Sequence, residues 1–169
     1  MKDYLIVVAL KEEVPSIERN VLITGVGKIN ATLELTKELM YRPEIKTVIN
    51  YGSAGSISPQ LEGLIKCSTF VEGEREEWTH DIKFPTTGLT CSTQDCFALS
   101  PPSKDCDIVD MEAYAVAKVC KCFGKSFFCY KFISDHIGEN NQEEVWKQNL
   151  PKGESLFIKK LLLEHSIEV

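Results

Sequence analysis

Acidic residues recur at three places where a run of apolar residues gives out: Glu12 and Glu13 behind Tyr4–Ala9, Asp110 and Glu112 behind Ile108-Val109, and Asp135 behind Phe127–Ile133. Carboxyls gathered at one site can divide acid and base work, one holding a proton while another stays charged. Two glycine-bearing stretches, Gly25-Val26-Gly27-Lys28 and Gly52-Ser53-Ala54-Gly55, stand in similar positions. Each feature also has an ordinary structural explanation. Glu12 and Glu13 could be solvated, Asp110 and Glu112 could cap a helix and complement its dipole, and Asp135 could open a turn. Glycine after a strand commonly just permits a tight turn. Their significance therefore depends on whether the chain brings them together.

The elements that carry them alternate. Tyr4–Ala9 reads as a fully buried strand and Val21–Thr24 as a second. A helix is expected from about Ile29 to Met40, with apolar Ile29, Leu33, Leu35, Leu39 and Met40, ended by Pro43. Thr47–Asn50 is a third strand, leading into Gly52–Gly55. Thr69–Val71 and Leu89–Cys91 are candidate strands, residues 72–81 a polar loop, and Pro101-Pro102 a break. Ile108-Val109 is a short strand entering a helix, Asp110–Phe123, that is apolar nearly all round and stops at Gly124, so it should be buried. Phe127–Ile133 is another buried strand, and an amphipathic helix runs from about Glu154 to Leu163. Strands separated by helices imply right-handed βαβ units. The expected fold is a single α/β domain over residues 1–169, with a mainly parallel twisted sheet flanked by helices. In open sheets of this kind ligands collect at the carboxyl ends of the strands. The acidic clusters and the glycine stretches all fall at such ends.

The bulk properties narrow the function class. The 169 residues carry a net charge of -6, which argues against a nucleic-acid partner. No apolar run approaches the ~20 residues of a membrane span. The N-terminal apolar run is followed by Lys11, Glu12 and Glu13 rather than a small-residue cleavage site, so a cytosolic protein is expected. The seven cysteines are odd in number and contain neither a CxxC pair nor a zinc pattern. They read as reduced thiols, most of them small core hydrophobes, and neither a metal nor a cofactor is expected.

Five segments in order resemble the nucleoside phosphorylase/nucleosidase family, and within it the 5′-methylthioadenosine/S-adenosylhomocysteine nucleosidases. They are Ala9-Leu10-Lys11-Glu12-Glu13-Val14, Thr24-Gly25-Val26-Gly27-Lys28-Ile29-Asn30-Ala31, Val48-Ile49-Asn50-Tyr51-Gly52-Ser53-Ala54-Gly55, Val109-Asp110-Met111-Glu112-Ala113 and Ile133-Ser134-Asp135. Gln94-Asp95-Cys96-Phe97 is a weaker sixth. The resemblance implies that Glu13 orients and activates an attacking water, and that Ser53, in the loop closed by Gly55, lies near it. It implies that Met111 and Glu112 meet the ribose, Glu112 accepting from the sugar hydroxyls. Asp135, supported by Ser134, would assist departure of the purine at N7, and Phe97 would stack on the base. Lys131 stands where these nucleosidases usually carry arginine and is counted with the substrate-binding residues. Trp146, or Val145 beside it, is expected on the 5′ side.

The chemistry suits those residue types. Breaking a ribosyl C–N bond builds positive charge on the sugar and negative charge on the purine, so an acid at N7 and a carboxylate holding water on the other side both help. Asp135 would need a raised pKa, which apolar Phe132 and Ile133 beside it could supply. Phosphorylases of this fold carry an arginine shortly before the glycine-serine loop, where this chain has Asn50, and Arg19, Arg42 and Arg75 fall at no phosphate position. Water is therefore the expected nucleophile. Phosphorolysis stays open, because Ser134-Asp135-His136-Ile137 looks like some bacterial purine nucleoside phosphorylases and Lys28 or Lys131 could pair with an anion. A non-catalytic nucleoside-binding protein is the other alternative. The chain is shorter than typical members between Thr69 and Asp110, where relatives have an extra helix and strand. Family members commonly form homodimers or higher oligomers in which a partner chain closes the site.

Overall fold

The computed structural model describes residues 3–74, 78–102 and 105–169. Arg75 and part of the expected 72–81 loop lie outside the described residues. The first apolar run forms β1 (Tyr4–Val8), every residue of which is buried. Continuous burial is what a strand covered on both faces requires. Period-two alternation then divides its side chains. Leu5 and Val7 join a core with Ala31, Leu35, Val116 and Cys120. Tyr4, Ile6 and Val8 join a second core, on the other face, with Tyr51, Phe157 and Leu161.

β1 lies parallel to β2 (Val21–Ile23) on one side and to β3 (Thr47–Ser56) on the other. Helix α1 (Lys28–Tyr41) returns from β2 to β3. Its buried positions are Ala31, Leu35 and Leu39, one per turn on the inner face. Of the helix's other apolar residues, Ile29, Leu33 and Met40 are exposed, because they fall off that stripe. β4 (Leu64–Glu72), β5 (Ile82–Lys83), β6 (Leu89–Thr93) and β7 (Ile108–Asp110) follow. Then come α2 (Ala113–Cys122), β8 (Ser126–His136), α3 (Gln142–Asn149) and α4 (Glu154–His165).

The sheet is mainly parallel, as expected, but it is not open. β3 pairs with β8, β8 with β4, β4 with β6, β6 with β7, and β7 returns antiparallel to β3. These five strands make a closed ring. β3 and β8 can reach that far because both outrun their expected ends. Gly52–Gly55 is strand, not a loop after one, and Ser134-Asp135-His136 is strand too, with Asp135 and His136 paired to Gly55 and Ser56 beyond a register shift at Ala54/Gly55. β-ladder pairing between the two extensions overrides the turn preference of Gly and Ser. Asp110 ends β7, so the helix expected from Asp110 begins three residues later. α3 went unforeseen because its sequence is polar apart from Val145 and Trp146.

α2 is buried nearly all round, as its composition implies, and Tyr51 of β3 stacks on Phe157 of α4 at 4.2 Å. Burying a side chain of that class contributes roughly 1.5–3 kcal/mol. All seven cysteines are free thiols, and Cys67, Cys91, Cys120 and Cys129 are buried. Among the described residues no helix is long and apolar enough to cross a membrane.

The closure between β4 and β6 depends on Gly88. A Cβ there would lie 2.7 Å from the Lys66 carbonyl oxygen and 2.9 Å from the Ser68 nitrogen, beside the register shift between Cys67 and Thr69. Backbone atoms on a paired strand cannot yield as a flexible side chain would. Gly88→Ala is expected to destabilise the fold by ~1–3 kcal/mol, read as a lower urea midpoint with unchanged slope; a wild-type midpoint would show that the ring can expand there.

Candidate active site

β1 ends at Val8 and the chain tightens into a 3₁₀ turn, Lys11–Glu13, that swings the Glu13 side chain back under the strand end. One carboxylate oxygen accepts from the Ala9 and Leu10 N–H groups at 3.2 and 3.1 Å. The other accepts from the Ser53 N–H at 2.8 Å and the Ser53 hydroxyl at 3.2 Å. Burial pushes the Glu13 carboxyl up from its ordinary value, and it stays raised although these donors and the Lys131 ammonium pull down. Glu12, its neighbour, is exposed.

Asp110 and Glu112 leave β7 in different directions. Asp110 spends both oxygens on structure. It accepts from Thr93 Oγ1 at 2.6 Å and from the Ala113 N–H at 2.8 Å, which caps α2, and it pairs with the Lys131 ammonium at 2.8 Å. The ordinary helix-cap explanation therefore describes Asp110. Glu112 accepts from the Gly27 N–H at 2.8 Å, in the turn before α1, where Gly25 and Gly27 do adopt positive φ. Burial, and then the adjacent Asp110 carboxylate, push Glu112 up to about 7 against the pull of Lys131.

Asp135 projects from β8, 3% exposed. Ser134 Oγ donates to its Oδ1 at 2.6 Å and Gln142 Nε2 to its Oδ2 at 2.8 Å. Burial raises its pKa, with Ser134 and Gln142 pulling down. The strand that lies alongside must be small there. A Cβ on Gly55 would sit 3.0 Å from Asp135 Oδ2, and one on Gly52 would sit 3.2 Å from both Glu13 Oε1 and Lys131 Nζ. These glycines provide clearance for charged side chains rather than turns.

The residues so placed meet at one cleft, of about 620 Å³ out to its mouth, lined by Glu13, Ser53, Gly55, Asp110, Met111, Glu112 and Asp135 together with Phe97, Gln142 and Trp146. Phe97 and Trp146 touch edge to face with centroids 5.8 Å apart, and the Trp146 indole N–H donates to Ser53 Oγ at 2.9 Å. Val145 is not in the lining. Two expected binding residues stand behind the wall instead. Ser134 supports Asp135 from the side and donates to the Ala54 carbonyl at 3.3 Å. Lys131 is 1% exposed, with its ammonium on Asp110, because a cation this deeply buried needs a partner charge. Lys28 is likewise engaged, with Glu72, Glu74 and Asp95. Burial would lower its pKa, but those carboxylates raise it. Gln142 went unrecognised in the sequence, where nothing distinguishes it from the other polar residues of 139–148. Among the described residues no cluster of His, Cys, Asp and Glu is arranged to hold a metal ion.

Residues 83–162 match the family model described as Phosphorylase superfamily. That stretch contains Phe97, Met111, Glu112, Asp135, Gln142 and Trp146 but neither Glu13 nor Ser53. No curated protein sequence matches the chain significantly. Solved structures match across nearly its whole length. A putative 5′-methylthioadenosine/S-adenosylhomocysteine nucleosidase from Borrelia burgdorferi, bound to adenine, is 19% identical with a TM-score of 0.76, covering 94% of this chain and 98% of that one. A mutant of the Helicobacter pylori nucleosidase with 5′-methylthioadenosine in its active site is 17% identical with a TM-score of 0.75, covering 96% and 98%. Futalosine hydrolase of Helicobacter pylori is 18% identical with a TM-score of 0.74, covering 94% and 96%. At these identities the likeness is one of fold. The chain has the fold of the phosphorylase superfamily, and its residues 83–162 carry that family's sequence pattern.

Proposed function

We propose that the chain hydrolyses the N-glycosidic bond of a purine nucleoside, of the 5′-methylthioadenosine/S-adenosylhomocysteine kind, and releases the free base. The observation that carries this reading is the convergence of three buried carboxyls with raised pKa values, Glu13, Glu112 and Asp135, on one cleft beside the Phe97 ring. Solved relatives that hold adenine or 5′-methylthioadenosine support a purine occupant.

The base stacks on Phe97 with N7 toward Asp135, which retains its proton through burial and gives it up as the C–N bond breaks. Glu112 holds the ribose hydroxyls. Glu13, with Ser53, orients a water toward the sugar carbon as positive charge grows there. Trp146 borders the 5′ side. Phosphorolysis would need a cationic clamp for phosphate. The charged groups in the described lining are all carboxyls, Asn50 donates to the Val7 carbonyl, and Lys28 and Lys131 are engaged with carboxylates, so water is the nucleophile. The exposed Ile29, Leu33 and Met40 of α1 support assembly of copies into a homo-oligomer, and free thiols suit a cytosolic setting.

Incubation with a purine nucleoside panel, with and without phosphate, is expected to yield free base and free sugar at a rate independent of phosphate. Ribose 1-phosphate among the products, or strict dependence on phosphate, would overturn hydrolysis. Asp135→Asn keeps the shape and a hydrogen bond to N7 but has no proton to deliver. Its kcat is expected to fall on the order of 100-fold or more with ligand affinity retained; a near-normal kcat with a lower melting temperature would make Asp135 structural.

Glu112 adds a pH dependence. Its carboxyl, pushed up to about 7, is protonated on the acid side and charged on the alkaline side. The charged form offers both oxygens as acceptors to the diol, whereas protonation turns one of them into a donor. kcat/KM should therefore rise as Glu112 ionises with increasing pH through about 7. Glu112→Gln is expected to lose the rise, and a rise that survives this substitution would assign it to another group.

A further inference from the structure

Gln142 opens α3, is 4% exposed, and spends its whole amide on three segments of the site. Its Oε1 accepts from the Gly138 N–H at 3.0 Å, and its Nε2 donates to the Ala98 carbonyl at 2.9 Å. These two backbone partners fix which way the amide points, since the reverse would set donor against donor and acceptor against acceptor. The second Nε2 hydrogen is thereby aimed at Asp135 Oδ2. Ser134 holds the other oxygen, so the carboxyl is pinned from both sides. Ala98 adjoins Phe97, so the same amide also anchors the loop that carries the stacking ring. One turn along α3, Trp146 reaches Ser53, which in turn holds Glu13.

We propose that Gln142 is the positioning residue of the general acid: its amide aims the Asp135 carboxyl into the cleft and ties that aim to the Phe97 loop. This rests on the reading of Asp135 as the acid. Hydrogen bonds donated to a carboxyl favour its charged form, so Gln142 offsets burial and helps set the pH up to which Asp135 keeps its proton. The other groups facing Asp135 are Glu139, which raises its pKa, and His136, which lowers it. Glu13, Glu112 and Asp110, the last paired with Lys131, line the same cleft, while Glu143, Glu144 and Lys147 of α3 are exposed.

The test compares wild type with Gln142→Leu and Gln142→Glu. Two readouts are taken: the alkaline limb of kcat/KM, and a carbon-13 NMR titration of the Asp135 carboxyl assigned with Asp135→Asn. Gln142→Leu is expected to move both the limb and the NMR midpoint upward by roughly half to one pH unit, with KM raised several-fold as the Phe97 loop loosens. Gln142→Glu keeps the shape should the leucine variant fail to fold. It places a second carboxyl against the first, so the pair shares a proton and the midpoint moves further up. A lowered melting temperature with limb and midpoint unmoved in both variants would mean that Gln142 only packs, and would overturn the proposal. A wild type that cleaves no purine nucleoside overturns the proposed reaction instead, whereas an active wild type with unmoved midpoints overturns the role of Gln142 alone.

Discussion

A single buried ammonium organises the acidic wall of the cleft. Lys131 is the one buried cation among the described residues, and it is bonded to Asp110 while its field also reaches Glu13 and Glu112. Gathering several carboxyls out of water is expensive unless a compensating charge is gathered with them. Lys131 supplies that charge from the middle of β8, the strand that also delivers Asp135 farther along. The requirement reaches into the neighbouring strands. β3 must be glycine at position 52 so that the ammonium and Glu13 can approach, and β7 must end on an aspartate that serves both Lys131 and the start of α2. Removing one member of such a pair typically costs ~3–5 kcal/mol, because the other is left charged and alone.

Within this frame the carboxyls divide by how their oxygens are engaged. Asp110 is fully committed to Thr93, Ala113 and Lys131 and belongs to the scaffold. Among the described residues Glu13 is held by four donors yet remains raised in pKa, and Glu112 accepts from the Gly27 N–H. Asp135 has little help from Lys131 and depends on neutral donors, Ser134 and Gln142. A carboxyl satisfied by neutral dipoles holds its proton more readily than one beside an ammonium. Asp135 is thus held by neutral donors, where Asp110 is held by the lysine.

Much of the fold was legible because its strands are nearly unbroken apolar runs. Tyr4–Val8 and Phe127–Ile133 needed only their burial pattern, and α2 only its all-round apolar composition. What escaped was what pairing decides. Gly52–Gly55 and Ser134–His136 have turn-forming residues, so local propensity ends β3 and β8 early, while their pairing with each other keeps both extended. The ring was invisible for the same reason, since the antiparallel return of β7 to β3 and of β8 to β4 is decided by tertiary pairing, which no local pattern displays. In the site, Glu13, Glu112, Asp135, Ser53, Met111 and Phe97 came from motif order, and the cleft holds all six. Lys131 was assigned by analogy with arginine at a position whose depth the sequence does not display. Gln142 and its contacts with Gly138, Asp135 and Ala98 depend on α3 docking, which a polar segment does not advertise.

The closed ring also governs how the molecule meets other chains. Strand edges left unpaired are templates for adding a foreign strand, and proteins rich in apolar strands must guard against it. Here five pairings close on one another, so β3, β4, β6, β7 and β8 have neighbours on both sides over part of their length. The sheet order ends only at β2 and β5. Those termini are three and two residues long, and β5 ends on Lys83. Neither offers enough ladder to recruit another strand. The curl that builds the cleft therefore gives the chain a built-in resistance to edge-to-edge aggregation.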